Sequence, residues 1–334
     1  METKSGNVKI SACIITYNHE NYLKDCLEGA LKQKVNGTYE IIISEDRSTD
    51  RTREIALEYQ KKYPEKIKLF LNENNLGLIG NWVKSMQRCN GQYIAICEGD
   101  DYWTDENKLQ KQVDFLDNNP EFSITSHNAD VLRDDKVIRK YCVESHPEIM
   151  NLEYLLEFGS GGPTCSLVFR NDAIKNLPEW FSQMHSCDWT VQVICAQYGK
   201  MKYFKENMGI WRKHGSGAAF NANLKAQTEN RSAFALPAKY SLEMNEAVNK
   251  HFDYKFNKII RLQNTYWYNF YLNEYLKIGN RKTARKYALK ILYILFPFNY
   301  WKYSWMNKNR FYKLVLLIFP FFIEKIIRSI YNLK

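Results

Sequence analysis

Within the first hundred residues, short apolar runs alternate with stretches of helical period, and few folds accept that order. Residues 8–15 (VKISACII), 40–44, 67–71 and 93–97 (YIAIC) read as strands. Amphipathic helices are expected between them, over 19–33, from Ser48 or Asp50 to Tyr63, and over 79–89. In the first helix Tyr22, Leu23, Cys26, Leu27, Ala30 and Leu31 form the apolar stripe, and Asn18 offers an N-cap. Strands alternating with helices mean βαβ units, so the fold class is α/β with a mostly parallel sheet. Right-handed crossovers then carry the ends of successive parallel strands to one edge of that sheet.

Two of those strand ends are acidic. Residues 40–44 run into EDRSTDRT at 45–52, and 93–97 run into EGDDYW at 98–103. In the second, Glu98, Asp100 and Asp101 crowd around Gly99. Like charges packed this closely repel one another. A solvated acidic turn is one explanation. A hard divalent cation, Mg²⁺ or Mn²⁺, is the other, because it takes carboxylate oxygens and also binds phosphates. Open α/β sheets bind ligands beyond the carboxyl ends of their strands, where both loops lie.

At this point the sequence resembles the family 2 glycosyltransferases, which have the GT-A fold. Four motifs match in order: ITYN at 15–18, EDRSTD at 45–50, EGDDYW at 98–103, and CDW at 187–189 leading into a helix over 189–198. The second stands where the family usually has a DDGSTD-like run, and the third in its D-x-D region. WRKHGS at 211–216 looks like the R-x-H segment that closes many members' donor sites. The resemblance covers residues 8–216. Glu45 and Glu98 depart from it, standing where Asp is commoner. It implies a GT-A domain over residues 1–220 and leaves 221–334 as a helical, basic and aromatic extension. It also implies an inverting enzyme that moves a sugar from a nucleotide-diphosphate donor, with UDP the expected nucleotide. The acceptor would be a hydroxyl of a glycan or lipid-linked glycan, in assembly of a bacterial surface polysaccharide.

Carried over residue by residue, the resemblance assigns Thr16, Tyr17, Asp46, Glu98 and Arg212 to the nucleotide. It assigns Asp100, Asp101 and His214 to a Mg²⁺ or Mn²⁺ ion, and Asp188 to the general base. Of Glu98 and Asp101, one can touch the ribose or a metal-bound water while the other supports the loop. Plainer roles exist beside these. Asp46 and Asp188 can be helix caps, Tyr17 a core residue, and His214 a surface or core histidine. The chemistry asks for a carboxylate that takes a proton from the acceptor hydroxyl as it attacks the anomeric carbon. It also asks for positive charge at the departing diphosphate. The glycine run at 159–164 is no dinucleotide loop, because Pro163 lies in it and a strand-like run at 166–169 follows instead of a helix. An inactive sugar-nucleotide-binding or scaffold protein of the same fold is the alternative, and the intact Asp100 and Asp188 count against it. A nucleotidyltransferase would need a Gly-rich triphosphate loop after the first strand, and His19-Glu20-Asn21 is not one.

The net charge of +10 is unevenly placed. Residues 251–334 hold 16 Lys and Arg against 3 Asp and Glu, which is +13, so the remainder sits near −3. Aromatic residues interleave with that charge. The apolar runs at 289–298 and 314–323 are interrupted by Pro297 and Pro320 and reach about half the twenty residues a spanning helix needs. The pattern suits an interfacial anchor on an anionic membrane surface. Helices packed with their lysines in solvent would also produce it. No nucleic-acid module precedes the segment, so nucleic acid is not an expected partner. The polar start METKSGNVKI lacks a leader pattern, and the eight cysteines contain no C-x-x-C pair. Together these point to reduced core thiols in a cytoplasmic protein, held peripherally at the inner face of the cytoplasmic membrane.

Overall fold

The computed structural model describes residues 8–215 and 235–295. The chain divides between His214 and Gly215 into two compact units.

The first unit is built on one mixed sheet. Its strands are β1 (Ile10–Thr16), β2 (Tyr39–Glu45), β3 (Ile67–Leu71), β4 (Tyr93–Glu98), β5 (Tyr102–Trp103), β6 (Phe122–Arg133), β7 (Lys136–Lys140), β8 (Ile149–Met150), β9 (Val168–Arg170) and β10 (Lys200–Lys213). The order is β3-β2-β1-β4-β9-β6-β10-β5, with β7 on β6 and β8 on β10. The long pairings, β1 with β2 and β4, β2 with β3, and β6 with β10, are parallel; the short ones are antiparallel. The helices of this unit are α1 (Leu23–Leu31), α2 (Thr52–Lys62), α3 (Gly77–Gln87), α4 (Lys108–Asn118), α5 (Leu152–Phe158) and α6 (Asp188–Cys195).

Every residue of β1 is buried, as a central parallel strand with helices on both faces requires. Ile10, Ala12 and Ile14 pack with Leu23, Cys26, Leu27 and Ala30 of α1 and with Ile55 and Ala56 of α2. On the opposite face the Cys13 thiol reaches Ser85 of α3. Each fully buried aliphatic side chain contributes about 1.5–3 kcal/mol, so this double-sided core holds the sheet edge rigid. All eight cysteines are buried free thiols.

Several local expectations shift. β3 spans 67–71 as its apolar run predicts, whereas α1 starts at Leu23 rather than at residue 19. The His19 carbonyl accepts from the Tyr22 and Leu23 N–H groups, which makes a preliminary turn. Asn18 is not the helix cap. It takes φ 55°, and its side-chain oxygen accepts from Thr49 N–H, which ties the β1 loop to the β2 loop. Asp50 does act at the start of α2, with Oδ1 accepting from Thr52 N–H.

The second unit contains α7 (Ala235–His251), α8 (Asn257–Lys277) and α9 (Arg281–Leu295). Gly279, at φ 73°, ends α8 in a left-handed turn that few other residues adopt without strain. Asn280 Oδ1 then accepts from Thr283 N–H and opens α9. Ala284, Ala288, Ile291 and Ile294 of α9 are buried against Leu262 and Leu272 of α8. Ile291 and Ile294 of the first apolar run in the tail are therefore helix-packing core. Residues 296–334, with Pro297, Pro320 and the second apolar run, lie outside the described residues. Among the described residues, no helix is long and apolar enough to cross a membrane.

Candidate active site

Strand register assembles the site. Thr16 pairs with Glu45 and Ile15 with Glu98, so the loops after β1, β2 and β4 leave the sheet side by side. At the β4 loop Gly99 allows the close approach. A Cβ there would fall 2.7 Å from Thr16 Oγ1 and 2.9 Å from His19 Nδ1, closer than side chains tolerate.

The β2 loop is held by buried carboxylates. Glu45 accepts from Ser48 N–H and pairs with Arg53, so its charge organises the loop. Asp46 is almost fully buried. Its Oδ1 accepts from Asn72 Nδ2 and from Leu76 N–H, both at 2.9 Å. Asp46 therefore caps the entry to α3, not α2, while remaining beside the β1 loop through its own N–H bond to the Thr16 carbonyl. Thr16 is buried, and Tyr17 is 42% exposed, so the Tyr17 ring is not a core residue.

The β4 loop gathers the acids. Ligand-capable oxygens of Glu98, Asp100 and Asp101 lie within 4.8 Å of one another. Burial, Asp100 and Asp188 together push the Glu98 carboxyl up to about 8. Burial, Asp100 and Glu98 raise Asp101 well above the usual carboxylate range. Asp101 Oδ1 accepts from Arg212 N–H at 2.8 Å, and its buried Oδ2 has no hydrogen bond among the described residues. Burial opposes ionisation of Asp100 as well, yet His214 Nε2, 2.9 Å from Oδ2, and the neighbouring His19 carry its carboxyl below the ordinary range. Mutually repelling carboxylates, a bare buried oxygen and an adjacent imidazole make a donor set that fits a Mg²⁺ or Mn²⁺ ion.

The segment at 211–214 reaches this loop because β10 runs alongside β6 for its whole length and pairs with β5 at Gly209 and Ile210. Arg212 lies between the Tyr22 and Tyr102 rings, 5.1 and 4.7 Å from their centroids. Its Nη1 donates to the Asp100 carbonyl and its Nη2 to Asp25. Both terminal nitrogens thus hold protein oxygens, and the side chain clamps the acidic loop. His214 packs on Tyr22 with ring centroids 4.5 Å apart.

Asp188 is the first residue of α6, one position inside the cap at Cys187. The Ser186 hydroxyl donates to Asp188 Oδ1, and Gln192 Nε2 donates to the Asp188 carbonyl. Gln192 also accepts from Gly161 N–H, so the glycine run at 159–164 is tied to the start of the same helix. Asp188 is within electrostatic reach of Glu98, which joins the α6 end to the acidic loop. His19 was not singled out by the sequence. Its ring lies by Thr16 and Asp100, and burial lowers its imidazole despite the Asp100 charge. Its position two residues past Tyr17, on a loop facing the acids, was the available signal.

The family described as Glycosyl transferase family 2 matches residues 11–177. An uncharacterized protein of Mycobacterium tuberculosis is 32% identical over 210 residues, 62% of this chain and 60% of that protein. The chain thus spans about 60% of the length of that relative. Among solved structures, S. aureus TarS 1–349 in complex with UDP superposes with a TM-score of 0.52 at 15% identity, covering 95% of this chain and 92% of that one. A mannosyltransferase from Pyrobaculum calidifontis in complex with GDP-Man and Mn²⁺ gives 0.51 at 11% identity, covering 99% and 89%. At these identities the likeness shows the shared GT-A fold alone.

Proposed function

The chain belongs to glycosyl transferase family 2, and from that membership we propose that it transfers a sugar from a nucleoside-diphosphate donor to an acceptor hydroxyl with inversion. The observation that carries this reading is the juxtaposition of the β1, β2 and β4 loops with Asp188 at the α6 end. Thr16, Tyr17 and Asp46 form the nucleotide side. Tyr17 presents an exposed ring for the base, and the buried Asp46 is tied to the β1 loop through its N–H bond to the Thr16 carbonyl. The proposed donor is a UDP-sugar, UDP being the nucleotide that the sequence resemblance implies. Asp100, with Glu98, Asp101 and His214 around it, would hold a Mg²⁺ or Mn²⁺ ion that offsets the charge of the leaving diphosphate.

Asp188 takes the acceptor proton as the hydroxyl oxygen attacks the anomeric carbon opposite the leaving group. The Ser186 hydroxyl holds its carboxylate through a hydrogen bond to Oδ1. Arg212 contributes by clamping the acidic loop through the Asp100 carbonyl. The acceptor is a glycan or lipid-linked glycan in surface polysaccharide assembly.

An anionic membrane surface is the proposed setting, at the cytoplasmic face. The outward side of α9 carries Arg281, Lys282, Arg285, Lys286 and Lys290, with Leu289 51% and Tyr293 73% exposed beside them. Basic charge next to exposed apolar groups is how interfacial helices bind such surfaces.

The decisive experiment is Asp188→Asn. Loss of a general base lowers turnover by about 10²–10⁴-fold and leaves UDP affinity nearly unchanged, because the base acts in the transition state. A variant that kept more than about a tenth of wild-type turnover would reduce Asp188 to a helix-opening residue.

A further inference from the structure

One face of the sheet near Asp188 gathers aromatic rings and positive charge. Residues that pair in register share a face, as do residues two apart on one strand. Val131 of β6 pairs with Trp211 of β10 on one side and with Arg139 of β7 on the other. Arg133 pairs with Lys213 and Lys136 in the same way. The Tyr141 N–H donates to the Ala129 carbonyl and so continues the β7 ladder past Lys140. Tyr141, Trp211, Arg139, Arg133 and Lys213 therefore stand on one face, with the buried Val131 between them. Arg212, between Trp211 and Lys213, points the other way and clamps the acidic loop.

Contacts agree with the register. The Tyr141 and Trp211 rings meet edge to face with centroids 5.3 Å apart, and Lys213 Nζ lies 5.0 Å from the Trp211 centroid. Arg139 Nη1 donates to the Lys140 and Tyr141 carbonyls, at 2.9 and 3.1 Å, which fixes the guanidinium at this corner. Arg139 and Arg133 are within electrostatic reach of Lys213. Both rings are half-buried, and both arginines are exposed. Among the described residues no carboxylate forms an ion pair with Arg133, Arg139 or Lys213. Like charges gathered this way repel, and an anion relieves the repulsion. Burial raises the Tyr141 phenol above its ordinary range and the Asp188 charge adds to the effect, so this ring is within electrostatic reach of Asp188.

We propose that this face is the acceptor subsite and that the acceptor is a sugar joined to a phosphate. The Tyr141–Trp211 corner receives the sugar ring, while Arg133, Arg139 and Lys213 receive the phosphate. This rests on the proposed sugar transfer with Asp188 as base. Aromatic rings give the apolar C–H face of a sugar a flat surface. Guanidinium groups form paired, charge-assisted hydrogen bonds with phosphate oxygens. The phosphate belongs to the acceptor rather than to a bilayer surface, because the cations share their face with a ring pair that stands by the base.

The test is calorimetry on the full-length protein saturated with UDP and Mg²⁺, which fills the donor side. The probes are the hexyl phosphodiesters of glucose, galactose, mannose and N-acetylglucosamine, each compared with the hexyl glycoside that lacks the phosphate. At least one phosphodiester should bind at least about tenfold more tightly than its glycoside. The double variant Arg133→Gln, Arg139→Gln should erase that preference and leave glycoside binding unchanged. Tyr141→Leu should weaken both members of the pair. Thermal melting and UDP affinity at the wild-type level confirm that each variant is folded. If no phosphodiester outbinds its glycoside, or the double variant keeps the preference, the inference is overturned. It is overturned also if the double variant loses only binding to anionic vesicles, which would make the surface a membrane contact. Either failure, in a protein that binds UDP and loses turnover on Asp188→Asn, leaves the proposed transfer standing. A protein that binds no UDP overturns both.

Discussion

Lys108→Met tests a charge that the fold buries without a hydrogen bond. Lys108 opens α4 and is wholly buried, and its Nζ has no hydrogen-bond partner among the described residues. The ammonium sits 4.1 Å from the centroid of the Trp103 ring, with Cys97, Cys165 and His127 as the titratable groups around it. A cation at a helix N-terminus is also opposed by the helix dipole. Burial pulls the amine from 10.5 down to about 7. At about 1.36 kcal/mol per pH unit, that displacement corresponds to about 5 kcal/mol. The native pKa is below the unfolded one, so between pH 7 and about 10.5 the unfolded chain holds a proton that the native protein has released. Stability conferred through this group therefore rises with pH across that window, and near pH 7 most of the penalty is present. The contact with Trp103 returns about 1–2 kcal/mol. Lys108→Met should accordingly be more stable than wild type by about 2–4 kcal/mol at pH 7, with the gain shrinking toward pH 10. Urea denaturation of both proteins at pH 7, 8 and 9 measures it, and the difference between them cancels every other titrating group. Parallel pH profiles with no gain at pH 7 would mean that the ammonium is solvated in the native state, and the argument would fail.

Two further outcomes are expected. Gly99→Ala should lower stability by about 1–3 kcal/mol, because the new methyl meets Thr16 and His19, and should weaken metal-dependent UDP binding by moving the acidic loop; a variant matching wild type in melting and calorimetry would show that the loop yields freely. Full-length protein should co-sediment with anionic vesicles at low salt and be only partly released at high salt, and reversing the charges of Lys282, Lys286 and Lys290 should abolish the salt-sensitive part; protein that stays in the supernatant at low salt would end the membrane proposal.

Local pattern alone determined the βαβ alternation, the bounds of β3, the acidic loops after β2 and β4, and Asp188 at the head of a helix. Each of these depends on residues within a dozen positions of one another, where the periods of 2 and 3.6 are visible. The tertiary structure decided what those loops touch. The 14-residue β10 had no legible partner, because its pairing with β6 matches residues about 80 positions away. That pairing brings Arg212 and His214 to Asp100, more than a hundred residues distant, and occupies the Arg212 guanidinium with protein oxygens. A separate long-range register, that of β1 with β4, explains why His19 was passed over. A histidine after a strand is unremarkable until the register of three parallel strands, and a glycine without a Cβ, set it against a carboxylate 81 residues later in the chain. Sequence period reports which face of an element is buried. Which elements meet, and at what register, is decided by long-range packing, whose partners no local window contains.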